Sequence, residues 1–425
     1  TIALSAATGS NGFIGSSLRS GLTITINSGG VLTSASGSTT TFHLNPGSLV
    51  LAGGTLGWGG SSSSSWGSWN LDHDFIVTEN STISANFMTL TQSGGTAFNV
   101  VTGKTLVISG TFISTTEAAY CSCDSNALKV NTATGYAGTV ILSGGNTYKG
   151  ATTLAAGTLA VSNASGLGGV TNGVTVASGS ILDLRNIAVG AEAITLNGGT
   201  LATSTGTSSL SGAITLGANS TASVTGTQLT LSGVISGVGY GITKTGDATL
   251  VLSANNTFTG ATSINAGTLV AANSGAVGTS AGGVSIASGA TLALQGGITI
   301  ADAINTVSGS GVSGLGAILN NSGSNIISGL VTLGGATTLG STAGTLTFDV
   351  VSGNAITGGF SISFTGDGNV TVNEPIAINT GALTKLGIGV LTLSGNNTYT
   401  GVTTISCLLK RNLEPLLVFE FCDLD

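Results

Sequence analysis

Charge is scarce in this chain. Only 6% of its 425 residues are Asp, Glu, Lys or Arg, and 9 basic against 16 acidic residues leave a formal charge of −7. A surface that grips phosphates needs clustered Lys and Arg, so a nucleic-acid partner and an anionic membrane surface are both excluded as expectations. No apolar run approaches the roughly 18 residues that cross a bilayer as a helix, so no membrane insertion is expected. With two His residues, no Gly-x-Ser-x-Gly elbow and no acid beside a candidate base, a nucleophilic enzyme has no footing, and no cofactor motif is found. Proline (3) and methionine (1) are nearly absent as well. No helical period survives for about eleven residues, which excludes a helical body.

Cysteine is limited to Cys121, Cys123, Cys407 and Cys422. Cys121-Ser122-Cys123 is not a redox C-x-x-C, and no second pair lies near enough in sequence for zinc. At about 22 residues per coil and about 4.8 Å rise, the two pairs would sit on the order of 60 Å apart, well beyond disulfide reach. Local disulfides, free thiols or a bond between molecules stay open.

Glycine is what the chain has: 70 residues, beside 41% hydrophobic residues and a mean hydropathy of +0.49. That much apolar matter marks a packed chain and not a disordered one. Abundant Ser, Thr, Asn and Gly with little charge suit a secreted or cell-surface protein. The absence of a basic, then apolar, leader before Thr1 suits a signal segment already removed.

One phrase recurs three times: TVILSGGNTYKGATT from 139, TLVLSANNTFTGATS from 249 and VLTLSGNNTYTGVTT from 390. Each is an alternating apolar run, a corner, and a second Thr-rich run. The first two copies agree onward to 184 and 294. Units that cannot bury an apolar face alone stack on their neighbours, and short strands at even spacing with this agreement favour a parallel β-helix over a sandwich or barrel. Inward Val, Ile and Leu would stack from coil to coil, with Gly, Asn and Asp at the corners. Asn146, Asn256 and Asn397 are read as a corner ladder of side-chain amides along the axis, with Tyr148, Phe258 and Tyr399 stacking on or capping the same corner. That role is structural.

Three stretches are distinguished. Residues 1–125 are less regular coils with a Ser/Trp-rich insertion loop, 126–405 carry the repeats, and 406–425 form a divergent apolar tail. The words LTKLGIGVLTLSGNNTYTGVTTI and ITKTGDATLVLSANNTFTGATSINAGTLV resemble the autotransporter-associated β-strand repeat of bacterial passenger domains. The resemblance covers about 130–300 and 375–405. It implies a right-handed parallel β-helix displayed outside the cell, a stalk or adhesive passenger, and it carries no catalytic residues to transfer. No segment here resembles an export barrel of amphipathic strands.

Candidate sites are few. Trp58, Trp66 and Trp69 could present flat faces to a sugar or a partner, or could seal the flank of the β-helix. Asp72 and Asp74 are expected on one strand face with His73 opposite, a poor metal geometry and more simply a solvated loop edge. Asp183, Glu192, Asp247, Asp302, Asp349 and Asp367 are read as corner residues. The resulting expectation is a non-enzymatic extracellular structural or adhesive β-solenoid, serving as a surface stalk or as a subunit that self-associates end to end, with a host or surface ligand. The alternative is a β-helix that binds or cleaves polysaccharide through the Trp loop.

Overall fold

The computed structural model describes residues 23–34, 48–57, 69–71, 73–86, 88–90, 92, 94–113 and 127–406, together with the backbone of three further strands, Ile2–Leu4, Gly12–Ile14 and Phe42–Leu44. The chain forms two compact units, Thr1–Gly237 and Val238–Asp425. Both are all-β, parallel and solenoidal. Among the described residues the one helical element is the 3-10 turn Val312–Gly314.

In the first unit, ten strands from Thr23–Asn27 to Ile235–Ser236 build one parallel sheet, one strand per turn. Val174 pairs with Ile194 and Ile194 with Ile214, so a turn there is 20 residues. A second face carries Ser81–Ile83, Thr105–Ile108, Thr139–Leu142, Thr158–Val161, Ile181–Leu184, Thr200–Thr203 and Ser220–Val224, each paired in parallel with the next. The register keeps like above like: Leu106, Val140, Leu159, Leu182, Leu201 and Ala222 follow one another as Cα partners, and all are buried. Because side chains alternate faces along a strand, every second residue enters this column, and in Thr105–Ile108 and Thr139–Leu142 the alternate residues Thr105, Val107, Thr139 and Ile141 are half-buried. The burial patterns of Thr139–Leu142 and Thr105–Ile108 show that alternation directly.

The second unit repeats the plan. Thr299–Ile300, Ser324–Ile327, Thr345–Phe348, Asn369–Val372 and Leu391–Leu393 form a five-stranded parallel sheet. Its register stacks Ile300, Ile327, Phe348, Val372 and Leu393. Turns in this sheet run from 21 residues, between Ile327 and Phe348, to 27, between Ile300 and Ile327. Strand Val331–Ser341 runs for 11 residues and pairs with two shorter strands on each flanking turn, so it carries one sheet around a corner.

A short column of rings lies in the core of the first unit between residues 75 and 148. Phe75 and Phe98 stack at 4.8 Å, Phe98 and Phe112 follow at 5.9 Å, and Tyr148 meets Phe112 edge-on at 6.3 Å. All four are buried. Turn-on-turn stacking of aromatics adds edge and face attraction to the area they hide.

Candidate functional site

The repeated corner is where sequence and structure meet most closely. Asn146 is 2% exposed, accepts from the Phe112 N–H at 2.9 Å through Oδ1, and donates from Nδ2 to Gly166 O at 2.6 Å. It thus ties the turn before to the turn after. Asn256, 3% exposed, donates to Ala276 O at 2.6 Å in the same way, and Asn397 accepts from the Ile376 N–H at 2.9 Å. The amide ladder expected between these three residues is therefore corrected: each amide bonds the backbone of a neighbouring turn. A corner bends the backbone out of sheet pairing, and its stranded N–H and C=O groups need a side-chain partner.

Tyr148 and Phe258 lie buried two residues on. Tyr148 OH pairs with Thr152 Oγ1 at 2.6 Å, and Tyr399 with Thr403 Oγ1 at 2.9 Å. Phe258 has no hydroxyl to offer, and Thr262 donates instead to Val277 O at 2.8 Å. Under each of the first two rings sits a glycine. At Gly168 (φ +83°) a Cβ would stand 2.6 Å from Tyr148 O, and at Gly278 (φ +101°) 2.6 Å from the Phe258 ring. Left-handed backbone and ring contact both demand glycine there. Burial pushes the Tyr148 phenol above its ordinary range, opposed by the Thr152 hydrogen bond and assisted by the charge of Glu192.

Polar residues that the sequence left at corners lie inside. Asp183 is 3% exposed and takes Arg185 Nε at 2.7 Å, Ser204 N at 2.9 Å and Ser204 Oγ at 2.6 Å. Glu192 and Asp302, each 2% exposed, hold the same place in the first two copies, just before strands Ile194–Asn197 and Ile304–Gly309. Their reading as simple corner residues is corrected on this ground. Lys244 is fully buried, its ammonium donating to Thr245 O at 2.9 Å, Gly246 O at 2.6 Å and Ala266 O at 3.1 Å. Lys385 binds Leu386 O and Gly387 O alike at 2.8 and 2.9 Å. In the first copy Asn131 does this work, donating to Gly138 O and Ala156 O at 2.9 Å. The signal was available in the words Thr-Lys-Thr-Gly and Thr-Lys-Leu-Gly, where a lone Lys precedes a corner.

Burial holds Glu192 neutral up to about 7 and, against the backbone hydrogen bond at its own residue, Asp302 up to about 6. It pushes the Lys244 ammonium down to about 8, with the charge of Asp247 opposing. Unfolded, Glu192 would release its proton near 4.5. Between those values the folded chain holds more protons than the unfolded one, so stability falls as pH rises. The gain is full below about 4.5 and is lost through about 7. Thermal unfolding followed by circular dichroism should therefore give a higher midpoint near pH 5 than near pH 8, by on the order of 1–2 kcal/mol per carboxyl once water access is allowed for. Glu192→Gln should flatten that slope in the first unit.

Trp69 is 0% exposed, with its indole N–H donating to Gly57 O at 3.1 Å. A ring so enclosed has no face for a ligand, so its expected contact role is corrected to a core role. Trp58, Trp66, Cys121, Cys123, Cys407, Cys422 and Asp72 lie outside the described residues. His73 and Asp74 do not oppose each other across a strand. Both precede strand Phe75–Glu79 and line one open recess of about 350 Å³ with Gln92, Asn99 and Tyr136. Among the described residues no group of three or more His, Cys, Asp or Glu could hold a metal ion, and no helix is long and apolar enough to cross a membrane.

Parallel turns in register, corner amides and core rings define the class: a parallel β-solenoid. Residues 136–161, 242–271 and 383–406 match the passenger-associated-transport-repeat. Over 276 residues, 64% of the chain, it is 30% identical to the adhesin BmaC autotransporter of Brucella suis biovar 1 (strain 1330). The aligned part spans 7% of that relative's length. No solved structure matches. The chain is a parallel β-solenoid with three stretches that match this repeat, and over part of its length it is similar to an autotransporter adhesin.

Proposed function

We propose that this protein is an extracellular adhesive β-solenoid, a non-enzymatic stalk that carries contact surface for a host or other surface ligand away from the cell. The observation that supports it most is the repeat itself. In strands such as Thr139–Leu142 and Thr249–Leu252 the inward Val140, Leu142, Leu250 and Leu252 are buried in the stack and the outward positions hold Thr beside Ile141 or Val251, so each added turn extends a weakly charged wall. The similarity to an adhesin over 64% of the chain supports the same reading. A stacked array offers length and surface in proportion to its number of turns, which suits contact at a distance.

The experiment is direct. Beads coated with the purified chain should adhere saturably to epithelial cells or extracellular matrix, and soluble chain should compete. Retention no better than that of beads coated with an unrelated protein of similar charge would overturn the adhesive role.

A further inference from the structure

The recess beside strand Phe75–Glu79 has a construction found nowhere in the repeats. Phe98 pairs with Phe75 and with Val130, so strand Thr96–Val100 lies between Phe75–Glu79 and Leu128–Val130 in the sheet. Its outward residues Ala97 and Asn99 are nonetheless 1% and 4% exposed. The chain after Val130 accounts for this cover: Asn99 Oδ1 accepts from the Ala133 N–H at 3.0 Å, and Val101 bridges to Tyr136. Between that flap and the His73–Asp74 segment lies the recess of about 350 Å³.

Its polar atoms are not all used. His73 Nδ1 and Gln92 Oε1 are buried without a hydrogen-bond partner. An unmade bond at such an atom is costly, and both side chains belong to the lining of this one recess. Asp74 spends Oδ1 on the Ala97 N–H at 2.9 Å, which leaves Oδ2 as an acceptor. Asn99 spends its carbonyl on Ala133 and keeps its NH2 group to donate. Tyr136 adds an aromatic surface, and Ile76 supplies apolar floor.

We propose that this recess binds one residue of a neutral saccharide. The proposal deepens the adhesive reading and rests on it. Imidazole, two carboxamides and a carboxylate match the mixed donor and acceptor hydroxyls of a sugar, while a phenol ring accepts its C–H face. Asp74 is the one formal charge among the described lining residues, so an acidic sugar would be repelled. The volume is at the lower end for ligand sites, which suits a single ring with its neighbours in solvent. A single hexose ring would bind with Kd on the order of millimolar.

The test uses the intact chain and glucose, galactose, mannose, N-acetylglucosamine and N-acetylneuraminic acid, read by saturation-transfer NMR and by the imidazole signals of the two histidines, His43 and His73. The expected result is saturable binding of at least one neutral sugar, a shift of the His73 signal and not of His43, and no binding of N-acetylneuraminic acid. Gln92→Ala and Tyr136→Ala should each weaken binding about tenfold, the loss of roughly one hydrogen bond or ring contact, with an unchanged circular dichroism spectrum. Should either fail to fold, Gln92→Glu, which sets a second carboxylate beside Asp74, should weaken binding comparably. Failure of the wild-type chain to bind any of the neutral sugars, or binding that leaves His73 and Gln92→Ala unaffected, overturns the recess as the site. Adhesion of coated beads in the same preparation separates the two readings. Adhesion without sugar binding overturns only this proposal, and sugar binding without adhesion supports the recess while overturning the adhesive role.

Discussion

Phe98→Ala is expected to lower the stability of the first unit by about 3–5 kcal/mol, seen as a fall in the urea midpoint. Phe98 is fully buried at the centre of the ring column, 4.8 Å from Phe75 and 5.9 Å from Phe112. Its removal takes away the transfer free energy of the ring and leaves a cavity that parallel turns cannot close, because their spacing is fixed by backbone hydrogen bonds at about 4.8 Å. Two ring contacts go with it, each worth about 0.5–1.5 kcal/mol beyond buried area. In a stacked array this loss falls on one interface between turns, so protection of the amides in Phe75–Glu79 and Thr96–Val100 should drop more than that of Ile235–Ser236, six strands further along the same sheet. Phe98→Leu, which keeps most of the volume, should cost less than half as much. Equal costs for the two substitutions would mean that the column contributes area alone and no ring geometry.

The fold was largely legible because its signal is redundant. The three phrases give register, and alternation in Thr139–Leu142 and Thr249–Leu252 tells which residues face inward before any coordinate is known. What alternation cannot show is cover. Asn99 and Ala97 read as outward residues and are buried, because a later segment folds over them. Glu192 and Asp302 read as corner acids, since charge is ordinarily solvated, yet both lie inside, 2% exposed, just before strands Ile194–Asn197 and Ile304–Gly309. Trp69 carries the most suggestive side chain of the irregular region and serves the core, where its one polar atom finds Gly57 O at 3.1 Å. Lys244 is a residue on which periodicity is silent and that the structure uses to satisfy three carbonyls. In each case the deciding contact comes from a different turn or from the reversal of a corner, beyond the window in which periodicity is read.

Asn146→Ala should be nearly as damaging as the loss of Phe98, at about 2–5 kcal/mol, though it removes only a small polar group. The amide reaches a buried N–H of Phe112 on the preceding turn and the carbonyl of Gly166 on the following one. Alanine leaves both unpaired, at about 1–3 kcal/mol each, and no other side chain replaces it at the same corner. Asn146→Asp separates the two halves of the effect. The carboxylate can still accept from Phe112 but has nothing to give Gly166 O, and its charge lies 2% exposed without a cation, so it should be worse than alanine near pH 8 and recover in part as the group protonates. The same substitutions at Asn397, whose amide is partly exposed and accepts from Ile376 N–H at 2.9 Å, should cost under about 1 kcal/mol, because water can take the vacated positions. A matching cost at the two sites, measured by urea unfolding, would show that the amide acts through local turn preference and not by tying adjacent turns together. The ordering expected here makes the repeated Asn a bond between turns, whose strength depends on how deeply the next turn covers it.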